Sequence, residues 1–236
     1  EVWSRTQLIY VCSPGNPTGS VMSLDEWGQL FALSDRYGFV IAADECYSEI
    51  YFDEAKPPLG ALEAAHRLGR SGFPRLVVFS SLSKRSNVPG MRSGFVAGDA
   101  AILEKFLLYR TYHGSAMSPA VQAASEAAWN DELHVVENRR LYREKFSAVT
   151  ALLKETMPAP IPEAAFYLWA KTPVNDAEFA QRLYRDYNVT VLPGSYLARQ
   201  AHGINPGENF VRIALVAPLA ECVEAAGRIQ NLIHKL

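Results

Sequence analysis

Cysteine is scarce here, with three residues in 236. Cys12, Cys46 and Cys222 stand far apart, with neither the density of a disulfide framework nor the spacing of a metal cluster. They read as reduced, cytosolic packing thiols, and no metal site is expected. No apolar run approaches the ~20 residues that a membrane span needs. No block of like charge occurs and the net charge is −2, so nucleic acid and anionic membrane surfaces are poor candidate partners. The opening "EVWSRTQ" is polar, unlike the apolar core of a signal peptide. These features point to a cytoplasmic protein. Hydrophobic residues make up 49% and charged residues 20%, which suits a globular chain with one large core or two modest ones. There is no internal repeat.

Strand and helix signals alternate along the first half. "QLIYVC", "FVIAAD", "RLVVFS" and "SGFVAG" are short apolar runs suited to buried strands. Between the first two, Ser23 and Glu26 form a capping-box pattern that predicts a helix over Leu24–Tyr37, stopped by Gly38. "AAILEKFLLYRTY" reads as another helix. Such alternation predicts a mainly parallel, doubly wound α/β layer. From Ser118-Pro119, an N-cap followed by proline at the first helical position, a long helical region runs to the prolines at 158, 160 and 162, bent near Asn130-Asp131. Then come strand "AFYLWA", helix "DAEFAQRLYRDY", strands "VTVLPG" and "FVRIALV", and a last helix from Leu219. The expected organisation is a large α/β domain over 1–118, a connecting helical region over 119–150 and a smaller α+β domain over 151–236.

Ligands of open parallel sheets sit outside the carboxyl ends of the strands. "LIYVC" is followed there by Ser13-Pro14-Gly15-Asn16-Pro17-Thr18-Gly19, "FVIAA" by Asp44-Glu45-Cys46-Tyr47, and "LVVF" by Ser80-Ser81-Leu82-Ser83-Lys84. Taken singly these are a turn, a helix cap and a surface lysine. In combination they are what pyridoxal phosphate (PLP) requires. That cofactor needs a lysine amine for a Schiff base with its aldehyde, here Lys84. It needs a carboxylate to keep its pyridine nitrogen protonated, here Asp44. Asn16 and Tyr47 supply donors to its phenolic oxygen. Arg92, on the bend after Lys84, with the Ser81 hydroxyl, suits its phosphate. Ser83 is counted with the cofactor-binding residues.

These segments resemble class I/II aminotransferases of PLP fold type I. "SPGNPTG", "ADECY" and "SLSK", with Arg92 eight positions after Lys84, are that family's motifs in its order. The resemblance implies catalytic roles for Lys84, Asp44 and Tyr47, with Lys84 moving the proton during a two-stage transamination. It implies that "AAFYLWA" carries a substrate-pocket aromatic, Tyr167, and that "NFVRIAL" carries Arg212 for the substrate α-carboxylate, with Asn16 also at the substrate. It implies amino acid and oxo-acid substrates, a homodimer and a cis Asn16-Pro17 bond. The chain is most similar to bacterial N-succinyl-diaminopimelate aminotransferases of lysine biosynthesis, through "SSLSKRSNVPGMRSGFVAGD" and "NVTVLPGSYLAR" among other stretches. Oxoglutarate is then the expected acceptor.

Two other readings stand beside this one. Another amino acid aminotransferase, or a PLP carbon–sulfur β-lyase of the same fold, would carry the same cofactor motifs. A non-catalytic fragment needing a companion segment is the second. Family members carry well over a hundred residues ahead of the point matching Glu1, including a glycine-rich turn and helix N-terminus for the phosphate. The sheet is therefore expected to be incomplete at its N-terminus, and the chain alone to bind PLP weakly or not at all.

Overall fold

A computed structural model describes residues 1–114 and 116–236. The chain divides into two compact units, one of residues 1–15 and 20–139, the other of residues 16–19 and 140–236.

The first unit is built on four strands in the order β1-β2-β3-β4: β1 (Leu8–Cys12), β2 (Val40–Asp44), β3 (Leu76–Ser81) and β4 (Gly94–Gly98). The first three are parallel, as the alternation predicts, whereas β4 returns antiparallel to β3, pairing Ser81 with Gly94 and Val77 with Gly98. The close return explains why glycines flank β4. A Cβ on Gly94 would lie 2.4 Å from the Ser80 carbonyl oxygen, and one on Gly98, at φ 139°, 2.0 Å from that of Leu76. On one sheet face Ile41, Ala43, Leu76 and Val78 pack with Trp27, Phe31, Phe39 and three alanines of α3. Ala42 and Val77 are buried on the other face, as continuous apolar runs require. Each large buried side chain contributes about 1.5–3 kcal/mol.

A short α1 (Val2–Arg5) precedes β1, where sequence reading expected only an approach to the strand. Helix α2 (Leu24–Tyr37) has the predicted bounds. Ser23 Oγ accepts the Glu26 N–H and Glu26 Oε2 accepts the Ser23 N–H at 2.8 Å, while Gly38 ends the helix at φ 80°. Helix α3 (Ala61–Arg67) was not anticipated; its buried face is three alanines, too weak a pattern to read. One-turn α4 (Leu82–Arg85) follows β3, and α5 (Ala100–His113) follows β4, capped by Asp99. The predicted bend is a full break. Helix α6 (Pro119–Asn130), capped by Ser118, stops at an extended Asp131, whose carboxylate accepts the Leu133 and His134 N–H groups and so starts α7 (Leu133–Leu153).

The second unit is an antiparallel sheet in the order β5-β7-β6: β5 (Tyr167–Lys171), β6 (Leu192–Pro193) and β7 (Phe210–Ala214). It packs with α8 (Asp176–Tyr187) and α9 (Leu219–Ile233). The "VTVLPG" strand is reduced to Leu192–Pro193, where Pro193, with no N–H to donate, ends the ladder. Asp176, fully buried, accepts the Ser195 and Asn209 N–H groups at 2.8 and 3.3 Å. Burial opposes its charge, but these bonds prevail and hold the carboxyl below its usual pKa.

Asp176 thereby ties down the loop that enters β7, and two glycines complete the anchorage. A Cβ on Gly194 would lie 2.3 Å from the Gly207 carbonyl oxygen, 2.8 Å from that of Phe210 and 2.5 Å from the Trp169 ring. Gly194→Ala is therefore expected to destabilise the protein by roughly 1–3 kcal/mol. The check is the urea midpoint; an unchanged midpoint would mean that the loop shifts at no cost.

Candidate active site

The first unit brings six predicted residues to the carboxyl ends of its strands. Register aligns Cys12, Asp44 and Phe79 across β1, β2 and β3, so Asp44 and the Ser80–Lys84 segment leave the sheet at one rim. Asp44 is exposed, and its Oδ1 accepts the Cys46 N–H at 3.0 Å. Tyr47 is buried in the turn that follows, where its carbonyl accepts the Ile50 N–H at 3.0 Å. Lys84 is half-buried in α4. The Cys46 thiol registers both groups. Burial, the Asp44 hydrogen bond and the Asp44 charge push its pKa up to about 12, while the Lys84 charge acts the other way. Asp44 and Lys84 thus lie within electrostatic reach of one sulfur. That pKa leaves the thiol protonated and poorly nucleophilic at neutral pH.

Ser81 caps α4. Its Oγ accepts the Ser83 N–H at 3.0 Å and lies 2.8 Å from Ser83 Oγ and 2.9 Å from the Ser93 carbonyl oxygen. Arg92 is exposed at φ 52°, with Nη1 donating to the Pro89 carbonyl at 2.7 Å. Hydroxyls at 81 and 83 thus flank Lys84 on its own turn, and Arg92 ends the short 3-10 helix of the loop that follows.

The second unit holds the other three. Arg212 on β7 stands opposite Trp169 on β5 and shares a sheet face with Tyr167, two residues away. Its guanidinium lies 4.4 Å from the centroid of the buried Tyr167 ring, and Nη1 donates to Asn16 Oδ1 at 2.7 Å. Among the described residues its Nε is buried without a hydrogen-bond partner. A buried, unpaired guanidinium N–H beside a half-exposed fork is what an incoming carboxylate would satisfy. Asn16 belongs to this unit by packing, with Gly19 accepting the Ala164 N–H at 3.0 Å. The Asn16-Pro17 peptide is cis as expected, and Ser13-Pro14 is cis as well.

The donor set fits PLP: one amine, a nearby carboxylate, hydroxyls on the lysine's own turn and a cation at the end of the loop that follows it. Sequence reading passed over Glu45, beside Asp44. Its Oε1 accepts the Ala61 N–H at 2.6 Å. Burial, against that hydrogen bond and reinforced by the Asp44 charge, raises its pKa from 4.5 to about 7. Below about pH 4.5 both folded and unfolded chains hold this proton; above it the unfolded chain releases it first. Stability from this group is expected to fall as pH rises from about 4.5 through about 7. Glu45→Gln keeps the acceptor for Ala61 and should flatten that decline, as read from urea midpoints between those limits. The same decline in both proteins would count against the assignment.

Comparison with known proteins identifies the family and the fold. The family model described as "Aminotransferase class I and II" matches residues 2–229. A curated LL-diaminopimelate aminotransferase of Maridesulfovibrio salexigens is 31% identical over 98% of this chain, which spans 58% of that relative's length. The crystal structure of an aminotransferase from Neisseria meningitidis superposes with a TM-score of 0.93 at 59% identity, covering 98% of this chain and 58% of that one. A protein of Thermus thermophilus, described as a probable N-succinyldiaminopimelate aminotransferase, superposes with a TM-score of 0.84 at 30% identity, over 98% of this chain and 60% of that one.

Proposed function

Since the chain belongs to the class I and II aminotransferase family, with the fold type I architecture of its structural neighbours, we propose that it carries the lysine, cofactor-binding and carboxylate-binding groups of a PLP-dependent transaminase. The observation that carries this reading is the placing of Asp44 at the end of β2 and Lys84 in the turn leaving β3, both acting on the Cys46 thiol.

PLP, when bound, supplies an electron sink for negative charge developing at the substrate α-carbon. Lys84 would anchor it, and Nζ of Lys84 would take and return the α-proton. Asp44 would keep the pyridine nitrogen protonated, Tyr47 and Asn16 would donate to the phenolic oxygen, and Arg92, Ser81 and Ser83 would hold the phosphate. Arg212 offers a planar fork to the α-carboxylate, oriented by Asn16 and backed by the Tyr167 ring. The whole protein works on an amino acid and an oxo-acid, as a cytoplasmic homodimer.

For the amino donor, we propose N-succinyl-diaminopimelate with oxoglutarate as acceptor; the similarity to the Thermus protein supports this. A second reading, free LL-diaminopimelate, is favoured by the curated relatives. Glutamate formation by the whole protein, assayed with each donor separately, decides between them. Faster turnover of the succinylated donor is expected. Turnover of neither, with pyruvate released from cystathionine, would replace both readings by a β-lyase.

A further inference from the structure

The three residues after Lys84 all grip one surface. Helix α4 is a single turn of four residues, too short to hold itself in place. Arg85 is 3% exposed, and its guanidinium closes the C-terminal end of α6. Nη1 donates to the Ala128 carbonyl at 2.6 Å; Nη2 lies 3.4 and 3.5 Å from the Trp129 and Asp131 carbonyls and pairs with the Glu132 carboxylate. These are carbonyls that a helix leaves unsatisfied at the negative end of its dipole. The guanidinium also stands 5.0 Å from the Trp129 ring centroid, and that ring packs at 5.2 Å against Phe95 of β4. Ser86 Oγ is 2.8 Å from His134 Nε2, and His134 Nδ1 bonds the Asp131 carboxylate. Asn87 Nδ2 donates to Asn138 Oδ1 at 2.9 Å. His134 and Asn138, four apart, lie on one face of α7.

Burying a guanidinium is costly unless its charge and N–H groups are matched. Here the matching partners all come from the α6–α7 junction, and the side chain so fixed is the immediate neighbour of Lys84. We propose that Arg85, assisted by Ser86 and Asn87, is a positioning residue: the junction is a mould that sets the turn bearing Lys84, so that its amine stays aligned for proton transfer. This rests on the role of Lys84 given above. A misplacement of about 1 Å at a reacting group can cost on the order of 100-fold in rate.

The test uses Arg85→Lys and Ser86→Ala in the whole protein. Lysine keeps the charge but, as a point donor, cannot span several carbonyls. Arg85→Lys is expected to lower kcat by about 10- to 100-fold with KM changed by less than about twofold. It should also move the pH midpoint of the bound cofactor's visible absorbance and speed amide exchange of residues 83–87 in the cofactor-free protein. Ser86→Ala should shift the midpoint in the same direction by less, and it carries the test alone if the lysine variant does not fold. A lowered melting temperature with unchanged kcat and midpoint would overturn the proposal. Borohydride reduction of the wild type separates the two ideas. A label away from Lys84 overturns the lysine's role itself, whereas a label on Lys84 with both variants unaltered overturns only the part given to Arg85.

Discussion

Lys84→Ala is expected to slow transamination by about 10⁴-fold or more, since the role proposed for Lys84 has one side chain both anchor the cofactor and move the proton. The fold should survive. Lys84 is half-buried at the third position of a four-residue turn, where alanine is a good helix former. The buried contacts that seat the turn belong to Leu82 and Arg85. Single-turnover kinetics beside a urea unfolding curve will separate the two effects. A variant that unfolds as the wild type but turns over within about tenfold of it would mean that another group transfers the proton.

The second large effect is at Arg212. Arg212→Lys is expected to raise KM for the amino donor by about 10- to 100-fold, the scale of losing one charged hydrogen bond of a fork. Retention of PLP should be almost unchanged, because the role proposed for Arg212 is toward the substrate carboxylate, and its guanidinium is held within the second unit by Asn16 and the Tyr167 ring. The pair of measurements is donor KM and cofactor content after dialysis. An unaltered KM with weak cofactor retention would place Arg212 among the cofactor's ligands.

Some of this was legible from residue order alone. Helix α2 carries its own limits, because a capping box and a left-handed glycine are local devices. The break at Asp131 was visible as a bend, and the strand-end positions of Asp44 and Lys84 follow from counting beyond apolar runs. The antiparallel return of β4 was not visible. Direction depends on a partner strand, and the only local trace is a glycine at each end. Helix α3 was missed because alanines alone make its buried face. Arg85 reads like any basic residue on a loop; its burial depends on carbonyls more than forty positions later. Glu45 is similar, since burial and the neighbouring Asp44 charge raise its pKa against the Ala61 N–H bond, and burial is not written in residue order. Motif order names the residues that chemistry requires, and packing decides which neighbours hold them there.

The central claim is that Lys84 is the residue that PLP engages. Borohydride reduction of the PLP-loaded whole protein, followed by proteolysis and mass mapping, tests it directly. The account predicts one pyridoxyl group per chain, on the peptide containing Lys84. A pyridoxyl group on Lys56 or Lys105 instead, with Lys84 unmodified, would contradict it.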